Sequence, residues 1–226
     1  MKSILLPFCL IIFLITGCGK DDTTPDPDPQ AETYITTSAD SKWNYEETDN
    51  IVPTSVTNYT ITSTNKDTTI NGKVYHIYTD SYGDSSYLNV TGHDYYQRDP
   101  LPLGLGSEPF DRHYLKDDIA AGATWEQNLT VDIPSSPFPI PVTLTNTVEE
   151  KGISRTVNSV EYKNVIHVKT SISAAGVPAT ALTTDISSYY APKFGLIEST
   201  NEVELDFLGL TESINTHTKL LSADLK

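Results

Sequence analysis

Cysteine is nearly absent from this chain. Cys9 and Cys18 are the only two, both near the start. A body without further thiols cannot be stapled by disulfides and must rely on its hydrophobic core. Positive charge is also scarce: 15 Lys and Arg stand against 30 Asp and Glu, a net charge of −15. Such a balance repels phosphate backbones and excludes a nucleic-acid partner. No apolar run is long enough for a stable membrane-spanning helix. The longest, Ile4 to Ile15, would extend roughly 18 Å as a helix, against a hydrocarbon core of about 30 Å.

Chemical motifs are missing too. The five histidines, His76, His93, His113, His167 and His217, form no HxH, HxxxH or HExxH pair, so no metal site is expected. No Gly-x-Ser-x-Gly elbow is present, and no catalytic residue is assigned. Gly104-Leu105-Gly106-Ser107 reads as a loop, and no cofactor is expected. Carboxylates are abundant, but a glycosidase needs two of them facing each other across a cleft. Asp117-Asp118, Glu149-Glu150 and Asp80 with Asp84 read as solvated turn acids without the spacing of a calcium loop. No window shows a 3.6-residue apolar stripe, which argues against helices.

What is present begins at the N-terminus. Lys2 and the apolar run after it have the form of a signal peptide. The run ends in Ile15-Thr16-Gly17-Cys18. This tetrapeptide resembles the lipobox of bacterial lipoproteins position by position. The resemblance implies cleavage between Gly17 and Cys18, diacylglycerol on the Cys18 sulfur, and a further acyl chain such as palmitate on the new amine. Two or more chains give stable membrane attachment. Loss of residues 1–17 removes Lys2 and takes the net charge to −16.

Residues 18–32 form an acidic, proline-rich tether, with three prolines among Asp21, Asp22, Asp26 and Asp28. Such a segment cannot fold alone and acts as an extended spacer of up to about 40 Å. Lys20-Asp21-Asp22 directly follows the anchor. It resembles the export signal that sends Bacteroidota lipoproteins to the outer leaflet of the outer membrane. The implied location is the outer membrane, lipid-anchored and exposed at the cell surface.

Residues 33–226 read as one all-β domain, rich in Thr, Val, Ile and Tyr with recurrent period-2 alternation. Ile166, Val168 and Ile172 alternate with His167, Lys169 and Ser171. Asn71-Gly72 and Gly92-His93 mark hairpins. Tyr59–Ser63, Thr124–Ile133, Val142–Glu150, Ile153–Tyr162 and Gly195–Phe207 are among the expected strands. The pattern predicts an antiparallel meander of about ten strands, curled into a half-barrel or sandwich-like sheet. The strand rhythm and the segment Tyr189-Tyr190-Ala191-Pro192-Lys193-Phe194-Gly195-Leu196-Ile197 loosely resemble half-barrel lipoproteins of the periplasm and outer membrane.

Two features point to a binding surface. Six of the thirteen tyrosines fall between Tyr75 and Tyr96. On adjacent hairpins, Tyr75, Tyr78, Tyr87, Tyr95 and Tyr96 could stack on a glycan or peptide, or pack within the sheet. Two proline-rich apolar loops, Pro100–Leu105 and Pro134–Pro141, carry Leu101, Leu103, Leu105, Phe138 and Ile140. They are expected to close an open end of the sheet or to rim a pocket. The expected role is therefore non-enzymatic, in binding or structure. The alternative is a lipid or small-ligand pocket inside the sheet, and the third reading is a glycan-acting hydrolase.

Overall fold

The computed structural model describes residues 33–51, 55–99, 109–131, 139–207 and 209–226. Residues 1–32, with Gly17, Cys18, Lys20, Asp21 and Asp22, lie outside the described residues. So do Leu101, Leu103, Leu105 and Phe138.

The fold is all-β and antiparallel. Twelve strands occur in chain order: β1 (Lys42–Asp49), β2 (Ser55–Ile70), β3 (Lys73–Asp80), β4 (Ser85–Thr91), β5 (Asp94–Asp99), β6 (Phe110–Lys116), β7 (Thr124–Val131), β8 (Ile140–Val157), β9 (Val160–Ala174), β10 (Leu182–Ala191), β11 (Gly195–Phe207) and β12 (Leu210–Asp224). They share one sheet in the order β6-β5-β4-β3-β2-β1-β12-β11-β10-β9-β8-β7. Every neighbour is adjacent in sequence except β1 and β12, which pair and so join the two six-stranded meanders. This is an up-and-down barrel with one seam, between β6 and β7.

The expectation of about ten strands in a half-barrel or sandwich is thus corrected to twelve in one nearly closed sheet. The seam is stitched by side chains in place of a backbone ladder. The Gln127 amide donates to the Asp111 carbonyl and accepts from the His113 N–H, as a strand backbone would, and Trp125 Nε1 donates to the His113 carbonyl at 2.9 Å. Closure of this kind removes the exposed edges that invite aggregation.

Turn chemistry accounts for several hairpins. Asn71 and Gly72 both have positive φ (51° and 81°), as the expected type I′ turn requires. A second such turn, Asn158-Ser159 (47° and 67°), joins β8 to β9. It falls inside the expected strand Ile153–Tyr162, which is therefore split between those two strands. Conversely, Val142–Glu150 and Ile153–Val157 belong to one strand whose register shifts around Gly152. Ile140 also belongs to β8, pairing with Val131 and packing on the apolar cluster at one end of the barrel, so it is not a loop residue.

Period-2 alternation sends the apolar phase inward. On β11, Ile197, Val203 and Leu205 are buried while Thr200, Glu202 and Glu204 are exposed. A membrane-spanning barrel carries its apolar band outward; this barrel has the opposite polarity. Its core has two apolar ends. At one end Trp43, Tyr45, Tyr78, Tyr95, Tyr114 and Leu220 are buried together with many others. At the other lie Val142, Leu144, Ile172, Leu182, Val203 and Leu205.

The first end is plugged by the segment that leads into β1. Tyr34 O–H donates to the Asn164 carbonyl at 2.7 Å, and Tyr34 N–H donates to the Tyr95 hydroxyl at 3.1 Å. Tyr78 O–H donates to the Thr36 carbonyl at 2.9 Å. Gly195 (φ 69°) makes room for this plug, since a Cβ there would lie 2.9 Å from Ile35 Cδ1. The connections β1–β2, β3–β4, β5–β6, β7–β8, β9–β10 and β11–β12 all join strand ends at the opposite end.

Candidate functional site

The lumen between the two apolar ends is not filled. A cavity of about 290 Å³ lies above the plug, walled on the apolar side by Trp43, Tyr45, Tyr59, Ile61, Leu88 and Tyr114. Its polar side is formed by Glu47, Gln97, Arg112, Ser188, Ser199 and Thr218. A second cavity of about 320 Å³ continues toward the other end and shares Arg112 and Asn201 with the first. Its remaining walls are mostly apolar, with Phe110, Leu144, Ile172 and Ile186 among them, and Asp99 at the polar band. Cavities of this size suit a small organic ligand.

The strand register explains why the space exists. Glu47 on β1 pairs with Thr218 on β12, Thr218 with Ser199 on β11, and Ser199 with Ser188 on β10. Three small side chains thus stand in one inward row where neighbouring rows carry Leu, Ile and Tyr. Twelve strands enclose more room than side chains of ordinary size fill, and this row of small residues leaves it open.

Electrostatically the band is a mixture. Arg112 Nη2 lies 3.2 Å from Asp99 Oδ2 and 3.3 Å from Gln97 Oε1, and Gln97 Nε2 donates to Asp99 Oδ1 at 3.1 Å. Thr218 Oγ1 donates to Glu47 Oε2 at 3.1 Å, and Asn201 Nδ2 donates to Thr216 Oγ1. Tyr45 and Tyr59 stack with ring centroids 5.5 Å apart. Burial, helped by the nearby Glu47 and Asp80 carboxylates, pushes the Tyr59 hydroxyl up to about 12. Burial raises Tyr45, Tyr114 and Tyr190 in the same direction. These hydroxyls therefore stay protonated and can donate.

The expected tyrosine surface is not formed. Tyr75, Tyr78 and Tyr95 are 0%, 1% and 0% exposed and belong to no solvent-facing row. Hairpin curvature turns Tyr78 and Tyr95 inward, where Tyr78 also borders the cavity. Tyr87 and Tyr96 are half-buried. Tyr96 faces outward in a local cluster, under the Lys73 ammonium at 4.2 Å and stacked on His113 at 4.5 Å. Ile140 lies half-buried at the rim of the second apolar cluster.

One arrangement looks catalytic until its access is considered. Ser63 Oγ lies 2.8 Å from His76 Nε2, and His76 Nδ1 lies 2.8 Å from Asp67 Oδ1. That is the connectivity of a hydrolytic triad. Ser63 is 0% exposed, however, and lines neither lumenal cavity. An acyl carbon has no path to it, so the relay braces the irregular β2–β3 register between Ser63 and Asp67. The other histidines also face acids: His93 with Asp117, His113 with Asp94, His167 with Glu150 and His217 with Glu198. Among the described residues no three His, Cys, Asp or Glu converge as a metal site would require.

No protein-family model matches this chain, and no curated protein or solved structure shows significant similarity to it. The lumen must therefore be read from its own chemistry.

Sequence reasoning passed over the lumenal polar residues. Their signal was a break in the apolar phase. On β10, β11 and β12 the inward series read Ile186-Ser188-Tyr190, Ile197-Ser199-Asn201-Val203 and Ile214-Thr216-Thr218-Leu220. A polar residue on the apolar phase of one strand means little. The same break at the same level on three paired strands marks a band.

Proposed function

We propose that this chain is a lipid-anchored, small-ligand-binding β-barrel lipoprotein that holds an amphipathic molecule in its lumen without transforming it. The observation that carries the reading is the incompletely filled lumen, with a polar band between apolar ends. A core built for stability alone would fill that space and would avoid polar groups there. The band offers donors and acceptors to a ligand's polar group, and the walls take its apolar body. The lipobox-like Ile15-Thr16-Gly17-Cys18 and the acidic tether support attachment to the outer membrane, with Lys20-Asp21-Asp22 favouring the cell surface. Residues 33–41 plug one end of the barrel, which supports a mouth at the other end.

The test is native mass spectrometry of the full chain carrying Cys18→Ser, before and after organic extraction. The expected result is a small-molecule mass that extraction removes. Ser199→Phe, which fills the small-residue row, should purify without it. Retention of the same mass by Ser199→Phe would place binding elsewhere and overturn the lumenal reading.

A further inference from the structure

One lumenal carboxylate has no counter-ion. Glu47 accepts a hydrogen bond from Thr218, but none of the described Lys, Arg or His lies within 4.0 Å of it. Its outward neighbour Glu46 is paired with Lys219 at 2.7 Å, so cations are available on this strand's other face and not on this one. The lumenal cation, Arg112, is engaged by Asp99 and Gln97. Among the described residues, two carboxylates and one guanidinium line the cavities, which gives this lining a net negative charge. Glu47 is half-buried, and a ligand that displaces water from it must offer a counter-charge in its place.

The surroundings of Glu47 are those of a cation site. The stacked Tyr45 and Tyr59 rings line the same cavity, on the plugged side of the carboxylate. Aromatic π-systems attract cations, and a carboxylate beside them adds charge and directed acceptors. An anionic ligand would meet the net negative field. A neutral alcohol would gain hydrogen bonds but would leave Glu47 without a counter-charge.

We propose that the lumenal ligand carries a protonated amine that pairs with Glu47, with its apolar or aromatic body held by Tyr45, Tyr59 and Tyr114. This rests on the lumenal reading above and names its ligand class.

Titration calorimetry near pH 7 on the full chain with Cys18→Ser tests it with three probes of one shape: 2-phenylethylamine, 2-phenylethanol and 3-phenylpropanoate. The amine should bind about tenfold more tightly than the alcohol, and the carboxylate most weakly. Glu47→Gln should abolish the amine's advantage. Arg112→Gln should raise amine affinity, so the charge argument is tested even where Glu47→Gln fails to fold. Alcohol or carboxylate binding as tightly as the amine, and lost in Ser199→Phe, would overturn the amine class and leave the lumenal reading standing. Absence of binding by all three probes would overturn the amine class too, while the extraction experiment decides the lumenal reading separately.

Discussion

At the scale of single residues, burial decides which side chains are free to act. His113 shows this on the outer face of β6. It is enclosed by Tyr96 and Trp125, with Asp94 Oδ1 at 3.0 Å. Burial lowers its pKa below the ordinary value; Asp94 opposes that shift, while Lys116 and Lys73 reinforce it. His167, stacked on Tyr189 at 4.2 Å, is lowered for the same leading reason, against the pull of Glu150. Both rings are therefore more easily protonated in the unfolded chain than in the folded one. Their contribution is complete above pH about 6.5 and is lost as pH falls below it. Thermal melts should show stability declining from pH 7 toward pH 5, and the double variant His113→Gln, His167→Gln should flatten that decline. The tyrosines teach the same lesson differently. Their clustering between Tyr75 and Tyr96 was legible, but a count cannot tell an inward ring from an outward one where strands bulge, as between Ser63 and Asp67 and between Tyr95 and Tyr96.

At the scale of elements, alternation and turn chemistry made most of the strands readable. Asn71-Gly72 and Gly92 stand at their hairpins because the backbone needs positive φ there. Asn158-Ser159 was missed because serine seldom marks such a turn, and Gly152 looked like a strand boundary although it only shifts register within β8. β6 went unassigned because Phe110–Lys116 carries Asp111, Arg112, His113 and Lys116 within seven residues and shows no clean alternation. Closure was not legible at all, since it depends on Gln127 and Trp125 reaching across from β7 to β6. Gln127→Ala would leave the His113 N–H and the Asp111 carbonyl without those partners, at a cost of about 1–3 kcal/mol. Hydrogen exchange should report it as faster exchange at His113, with β1 and β12 unaffected. Uniform protection in the variant would mean that the seam does not depend on this amide.

At the scale of the whole molecule, membrane attachment and the barrel can each be tested alone. Cells expressing the wild-type chain should incorporate labelled palmitate into it, and Cys18→Ser should abolish incorporation. External protease on intact cells should remove the barrel if the chain faces outward; full protection would restrict it to the periplasmic side. The net charge of −15 is repelled by anionic headgroups, so it gives no electrostatic help to membrane binding.

The position of β1 has a mechanical consequence. The plug segment, residues 33–41, leads into this strand, which is bonded on both flanks along its length, to β2 and to β12. Tension applied at Lys42 along the strand loads two ladders in shear at once and cannot peel them one rung at a time. The C-terminal end adds a clamp at the same place, where Lys226 N–H donates to the Ser41 hydroxyl at 3.0 Å. A pull on the start of this strand must therefore break both ladders together before the lumen opens.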